Sequence, residues 1–286
     1  MQLKELKTNF TSELSGLYAS EEVQSFFTIL SEHFLSYSRL DTVLNAAELI
    51  SEENCQRFQE ALLRLKRFEP VQYVIGQTEF YDLLFKVTPA TLIPRPETEE
   101  LVQWIVDEYE TVSEGGPAHF LDVGTGSGCI AIALAKSLAH INMSALDFSK
   151  PALEVARHNA QAHQTAVTFF ELDILKATSL PRTYDLIVSN PPYVRELEKK
   201  MMQPNVLSFE PESALFVSSA NPLQFYKKIA QLAKRHLTPG GYLFFEINEY
   251  LSKELAELLA TIGFSKIEVK KDIFGKERML SCRWFE

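Results

Sequence analysis

Apolar residues recur every three or four positions at the start of the chain, and this spacing predicts helices. Leu3, Leu6, Phe10, Leu14 and Leu17 make one stripe; Val23, Phe26, Phe27, Leu30 and Phe34 make a second. Ser20 stands as N-cap of the second, with Glu21 and Glu22 in a first turn where the helix dipole favours acids. Asp41 is expected to open a short helix through Leu44, and Ser51 to cap another that carries Phe58, Leu62 and Leu65. Glu69-Pro70 ends it, because the residue before a proline disfavours the helical region. Residues 1–75 therefore read as a small helical bundle, either a structural cap or a module that docks a substrate.

From Glu79 the period shortens. The run 80–87 is aromatic and branched enough for a strand, expected to pair with Thr91-Leu92-Ile93 in a hairpin linking two domains over 76–96. Arg95-Pro96-Glu97-Thr98-Glu99-Glu100 opens a helix, with proline in the first turn and acids at its positive end. Leu101, Val102, Trp104, Ile105 and Tyr109 supply its buried face. The acids read as dipole partners and Arg95 as a candidate ligand contact. Glu114-Gly115-Gly116-Pro117 reads as a loop. Beyond it, strands are expected at 119–123, 142–146, 167–172, 184–189, 242–247, 265–270 and 278–284. Helices are expected at 129–138, 149–162, 223–236 and 250–262, with a turn at Pro239-Gly240-Gly241. The alternation predicts a doubly wound α/β sheet of about seven strands within 97–286.

Composition narrows the setting. A chain of 286 residues with 46% hydrophobic content suits one large domain or two modest ones. No apolar run approaches the length of a membrane span, and residues 1–10 carry no signal-peptide core. Cys55, Cys129 and Cys282 are far apart, which argues against a disulfide framework or zinc site and for a reducing cytoplasm. The six histidines show no metal-ligand spacing, and no metal is expected. A net charge of −10 argues against nucleic-acid binding by overall field, although Lys266, Lys270, Lys271, Lys276 and Arg278 make the C-terminal region locally basic. The run Arg195-Glu196-Leu197-Glu198-Lys199-Lys200 is mixed in sign and reads as a solvated loop, or as a mobile wall over a substrate.

Two stretches carry chemistry. Asn190-Pro191-Pro192-Tyr193 follows the strand 184–189, and ligands of open α/β sheets bind at the carboxyl ends of strands. Two prolines fix φ and remove two N–H donors, leaving carbonyl acceptors beside an Asn oxygen and an aromatic face. That set suits capture of a planar –NH2 group. Upstream, Asp122-Val123-Gly124-Thr125-Gly126-Ser127-Gly128 joins a strand to a helix, and five of the eleven glycines lie between 115 and 128. Backbone N–H groups at such a turn meet a polar ligand. Asp147 ends the next strand, 23 residues after Gly124, placed for a pair of ribose hydroxyls. The dinucleotide fingerprint G-x-G-x-x-G/A is not kept, since Cys129 takes its last position. The unit from Asp122 to Gly128, with Asp147, points instead to S-adenosylmethionine, whose amine Asp122 can face. A nicotinamide or flavin enzyme is the alternative, by fold analogy alone.

The stretches LDVGTGSGCIAIALA at 121–135, VSNPPYV at 188–194 and LIPRPETEELV at 92–102 together resemble the HemK family. Glu69-Pro70-Val71-Gln72-Tyr73, Phe80-Tyr81, Glu210-Pro211 and Ala214-Leu215 extend the resemblance over 69–286. It implies a class I S-adenosylmethionine-dependent methyltransferase sheet behind an N-terminal helical domain. The implied activity is methylation of the glutamine amide in the Gly-Gly-Gln motif of peptide chain release factors. By resemblance, Asp122, Gly124 to Gly128, Asp147, Asp173-Ile174 and Asn190 hold the cofactor. Asn190, Pro191, Pro192 and Tyr193 hold the amide, with Tyr193 packing on its face. A release factor is the expected partner, with no membrane and no direct nucleic-acid binding, and a monomer is the expected state. Adenine methylation in nucleic acid shares N-P-P-Y and is the alternative; a non-catalytic cofactor-binding scaffold is the third reading. Ser218-Ser219-Ala220-Asn221-Pro222 and Ile247-Asn248 depart from the family pattern.

Overall fold

The computed structural model describes residues 1–110 and 118–286; the loop expected at 114–117 lies outside them. The chain forms two compact units, Met1–Gln77 with Gln203–Phe209, and Thr78–Met202 with Glu210–Glu286.

The first unit carries α1 (Leu3–Leu14), α2 (Ser20–Leu35), α3 (Arg39–Leu44), α4 (Glu52–Leu65) and α5 (Val71–Ile75). Its apolar stripes meet around Phe10, Phe27 and Phe58, with Phe27 5.6 Å from Phe10 and 5.4 Å from Phe58 between ring centroids. Leu17 falls beyond the end of α1 and is exposed. Asp41 does not open α3. Ser38 does: its hydroxyl accepts the Asp41 N–H at 3.2 Å, and the Asp41 carboxylate accepts the Ser38 N–H at 2.9 Å. That reciprocal box moves the start back to Arg39. Ser51 caps α4 as expected, accepting the Asn54 N–H. Glu69-Pro70 does not end α4, which stops at Leu65 before a turn through Phe68 at φ +64°. Pro70 instead stands at the N-cap position of α5, its carbonyl accepting the Tyr73 and Val74 N–H groups, and Glu69 takes two bonds from Arg64 at 2.8 and 2.6 Å.

The second unit begins at Thr78, within β1 (Gln77–Phe80), and continues into β2 (Leu83–Lys86). The run 80–87 is thus not one strand. It turns back at Tyr81 and Asp82, whose φ values of 52° and 57° make the turn that matches strand twist. Residues 91–93 are not its partner; the Thr91 N–H instead closes a turn on the Thr88 carbonyl at 2.9 Å. There follow α6 (Pro96–Glu110), β3 (Ala118–Val123), α7 (Cys129–Ser137), β4 (Ile141–Asp147), α8 (Lys150–Ala162), β5 (Val167–Glu171) and β6 (Tyr184–Ser189). After β7 (Val194–Arg195) comes a 3₁₀ turn, Glu196–Met201; then α9 (Pro204–Phe209), which belongs to the first unit, α10 (Glu212–Leu215) and β8 (Phe216–Val217). The chain closes through α11 (Gln224–His236), β9 (Leu237–Glu246), α12 (Ser252–Ile262), β10 (Ser265–Lys271) and β11 (Glu277–Arg283).

Among the described residues the main sheet has seven strands in the order β10-β11-β9-β6-β3-β4-β5, parallel from β9 to β5, with β11 antiparallel to both β9 and β10. The turn expected at 239–241 lies inside β9, where the pairing with β6 shifts register. The run 195–200 is not a solvated loop: Arg195 pairs with Val217, and Glu198 is buried against Arg195 and Asn248.

Period-two alternation sends Phe120, Leu186, Val188 and Phe244 to one face, packed by α6 and α7, and Leu121, Ile187, Leu243 and Phe245 to the other. The same pleat returns Asp122 and Glu246 to the first face, two residues beyond Phe120 and Phe244. Two carboxyls are therefore buried where alternation alone would place apolar side chains. Asn159 of α8 ties the hairpin down: it accepts from Lys86 N at 2.8 Å and donates to the carbonyls of Lys86 and Ser127.

Candidate active site

The carboxyl ends of β3, β4, β5 and β6 open into a cleft, where the ligands of open α/β sheets bind. Gly124 and Gly126 line it after β3, Asp147 and Phe148 after β4, Asp173 and Ile174 after β5, and Asn190, Pro191 and Pro192 after β6. Leu146, Leu172, Phe225 and Ile229 give it an apolar wall. Among the described residues no cluster of His, Cys, Asp and Glu could hold a metal, and no helix is long and apolar enough to cross a membrane.

The glycine turn is held by its own backbone, with the Gly124 and Thr125 N–H groups donating to the Leu146 carbonyl at 2.9 and 3.0 Å. Gly124 and Gly126 have φ of +79° and +54°, and a Cβ on either would meet no atom within 4 Å. The space beside them is the cleft, which a side chain would fill. Asp147 accepts the Gly126 and Ser149 N–H groups, each at 2.9 Å, one on each carboxylate oxygen. Each oxygen keeps lone pairs for a further donor. Burial raises the Asp147 carboxyl above its ordinary range, opposed by the backbone N–H bonds of Ser149, Gly126 and Phe148. A backbone cradle, a buried carboxylate at a strand end and an apolar wall fit the methionine tail, ribose and adenine of S-adenosylmethionine.

Other members of the motif serve from behind. Asp122 is fully buried and does not line the cleft. Its Oδ2 accepts the Thr125 hydroxyl at 2.6 Å, while Oδ1 makes no full hydrogen bond. Burial pushes this carboxyl up to about 7; the Thr125 bond opposes the shift and nearby Asp147 adds to it. Thr125, Ser127 and Gly128 are likewise absent from the wall. A Cβ on Gly128 would lie 3.1 Å from Ile132 and 3.2 Å from Ala156, so this glycine lets α7 and α8 approach. Asp173 lines the cleft, paired with Lys176 at 2.9 Å, a bond that holds its carboxyl below the ordinary range.

Of the four residues after β6, Asn190, Pro191 and Pro192 face the cleft and Tyr193 does not. The Tyr193 ring packs on the core face shared by Tyr226 and Phe245, and its hydroxyl donates to Glu246 Oε1 at 2.8 Å. Burial, then Glu246, raises that hydroxyl well above its ordinary value. Asn190 donates from Nδ2 to Thr98 Oγ1 at 3.3 Å, and Thr98 donates to Glu246 Oε2 at 2.5 Å. Arg95, a candidate ligand contact, pairs instead with buried Glu210 at 2.5 Å. Glu210 also accepts the Ile93 N–H, pinning the segment that carries Thr91 and Leu92 along the cleft. At the departure from the family pattern, Asn248 donates to the Tyr193 carbonyl at 3.0 Å and to Glu198 at 3.1 Å, so it braces the chain after the site.

Sequence reasoning missed Thr98, Glu246 and Phe148. Thr98 and Glu246 lie far from Asn190 along the chain, and only the pairing of β9 with β6 brings the carboxyl near. Phe148 follows Asp147 directly and is exposed in the cleft, so its place beside that strand-end acid was the signal that could have found it.

Two family models match the chain, a PrmC N-terminal domain over residues 5–76 and a methyltransferase small domain over 109–208. The sequence is 45% identical to a release factor glutamine methyltransferase of Flavobacterium psychrophilum, over 99% of this chain and all of the other. It is 41% identical to that of Bacteroides thetaiotaomicron, covering 94% of this chain and 95% of the other. In fold it is similar to a ribosomal protein L11 methylase from Lactobacillus delbrueckii subsp. bulgaricus, with a TM-score of 0.50 and 19% identity over 70% of this chain and 84% of that one. Identity at this level over nearly the whole length of both chains means that the chain belongs to the release factor glutamine methyltransferase family.

Proposed function

We propose that the protein methylates the side-chain amide nitrogen of the glutamine in the Gly-Gly-Gln motif of peptide chain release factors. One observation carries the reading: Asn190, Pro191 and Pro192 line the same cleft as Gly124, Gly126 and Asp147. Acceptors for an –NH2 group therefore stand beside the cofactor cradle. Bound S-adenosylmethionine supplies an electrophilic sulfonium methyl. The chain supplies position. An amide nitrogen is a weak nucleophile because its lone pair is shared with the carbonyl. The Asn190 side-chain oxygen and the Pro191 carbonyl each accept one N–H, turning the remaining lone pair toward the methyl. Holding the reactants in line is the main contribution of the protein, with fixed dipoles adding to it. The nitrogen loses its proton to solvent after alkylation, so no strong base is needed.

Cofactor contacts fall to Gly124, Gly126, Asp147, Asp173 and Ile174, with Asp122, Thr125, Ser127 and Gly128 shaping the turn from behind. Tyr193 acts on the amide by anchoring the loop, not by stacking on it. We assign docking of the release factor to residues 1–75 and the link to 76–96, in a cytoplasmic monomer. The test is transfer of labelled methyl to purified release factor and to adenine-rich DNA in parallel. Label on the Gly-Gly-Gln glutamine is the expected result; label on DNA alone would move the enzyme to the nucleic-acid class.

A further inference from the structure

Asn190 is useful to an –NH2 substrate only if its oxygen, and not its nitrogen, faces the cleft. Nothing in the shape of a side-chain amide decides this, since its two ends are nearly the same size. Electrostatics behind the site decide it. Glu246 is 1% exposed, and its two oxygens accept the Tyr193 hydroxyl at 2.8 Å and the Thr98 hydroxyl at 2.5 Å. An ionised carboxylate can only accept, so the single Thr98 proton is committed to Glu246. The Thr98 oxygen then presents lone pairs alone, and the Asn190 Nδ2 group donates to it at 3.3 Å. A flipped Asn190 would set its oxygen against the Thr98 oxygen with no proton between them. No donor among the described residues binds Asn190 Oδ1, which leaves that oxygen for a ligand.

We propose that Glu246 and Thr98 are positioning residues, forming a one-way hydrogen-bond relay that holds the Asn190 amide with its oxygen toward the methyl-accepting group. This rests on the amide-methylation reading. Protonating Glu246 releases the relay, because a neutral carboxyl can donate to Thr98 and let the threonine proton turn to Asn190. The relay therefore responds to pH. Burial raises the Glu246 carboxyl; the Thr98 and Tyr193 bonds and the Arg278 guanidinium of β11 oppose that shift, and Glu97 of α6 adds to it. Tyr226 of α11 donates to the Glu246 backbone carbonyl, and Cys129 of α7 also feels the charge, but both keep their protons through the neutral range. The acid limb of turnover is thus expected above the ordinary carboxylate range.

The experiment compares Thr98→Val, which keeps the volume and loses the relay, with Thr98→Ser, which keeps the hydroxyl. Methyl transfer to release factor is measured across pH, alongside cofactor affinity and melting temperature. Thr98→Val should lower kcat about tenfold, the loss of one hydrogen bond, with KM and cofactor affinity unchanged and with the acid limb of kcat abolished. Thr98→Ser should restore both rate and limb. Equal impairment of both variants, or an unchanged acid limb in Thr98→Val, would overturn the relay. Asparagine-selective ¹⁵N spectra of the unmodified protein read the same relay without substrate. The Asn190 side-chain resonance, identified by its loss in Asn190→Ala, should move with pH in step with the acid limb and be displaced in Thr98→Val. A resonance of the unmodified protein indifferent to pH would overturn the proposal even if the variant failed to fold. Absence of any methyl transfer by the unmodified protein, with that resonance still responding, would instead refute the functional reading and leave the relay standing.

Discussion

Replacing Asp122 by Asn removes a buried carboxyl from beneath the glycine turn. The folded carboxyl is pushed up to about 7 from an ordinary 3.8. A difference of about 3 units at ~1.4 kcal/mol each corresponds to roughly 4 kcal/mol. The native state binds the extra proton between these values, so this contribution to stability is fully present below about pH 4. It is lost as pH rises through about 7, at ~1.4 kcal/mol per unit. Asn is neutral throughout and has no such slope, but its –NH2 group finds no acceptor at the Oδ1 position, costing ~1–3 kcal/mol. The variant should therefore be more stable than the parent above pH 8 by ~1–3 kcal/mol and lose that advantage below pH 6. Urea unfolding without cofactor, followed by tryptophan fluorescence, is the assay. Both tryptophans, Trp104 and Trp284, are buried in the methyltransferase unit and report on it alone. Between pH 5.5 and 7 the difference between the two proteins should change by about 2 kcal/mol. A difference constant over that range would refute a carboxyl with so high a pKa.

Two further outcomes follow from the same turn. Asp147→Asn puts an –NH2 group against either the Gly126 or the Ser149 N–H and removes a carboxylate that lines the cleft; calorimetry should show cofactor affinity reduced about 10–100-fold. Gly128→Ala places a Cβ at φ +84°, 3.1 Å from Ile132 and 3.2 Å from Ala156; it should cost about 2–4 kcal/mol and lower Tm by roughly 5–15 °C.

Much of this architecture is legible along the chain because its elements obey local rules. Ser51 and Ser149 cap the helices that follow them, and the apolar run of β6 ends at Ser189, directly before the cleft residues Asn190, Pro191 and Pro192. What escapes local reading depends on distant pairing. The β1–β2 turn uses Tyr81 and Asp82 at positive φ without the glycine or asparagine that usually signals it. Glu198 looks like a solvated charge until Arg195 and Asn248 surround it. Glu246 ends an apolar strand and shows its meaning only once β9 lies beside β6 and α6 covers both. Within the site, the cofactor turn and Asn190 carry recognisable patterns, whereas the groups that orient Asn190 are ordinary residue types placed by the fold. Tyr193 illustrates the reverse case: adjacent in sequence to the cleft residues, it is turned away by its bond to Glu246.

The most direct measurement is methyl transfer to purified release factor by the parent protein and by Asn190→Ala, with peptide mass spectrometry to place the methyl and calorimetry to follow cofactor binding. The expected result is label on the Gly-Gly-Gln glutamine, kcat reduced about 100-fold or more in the variant, and cofactor affinity within a few-fold of the parent. Turnover and cofactor affinity falling together, or an unchanged kcat, would contradict the role given to Asn190.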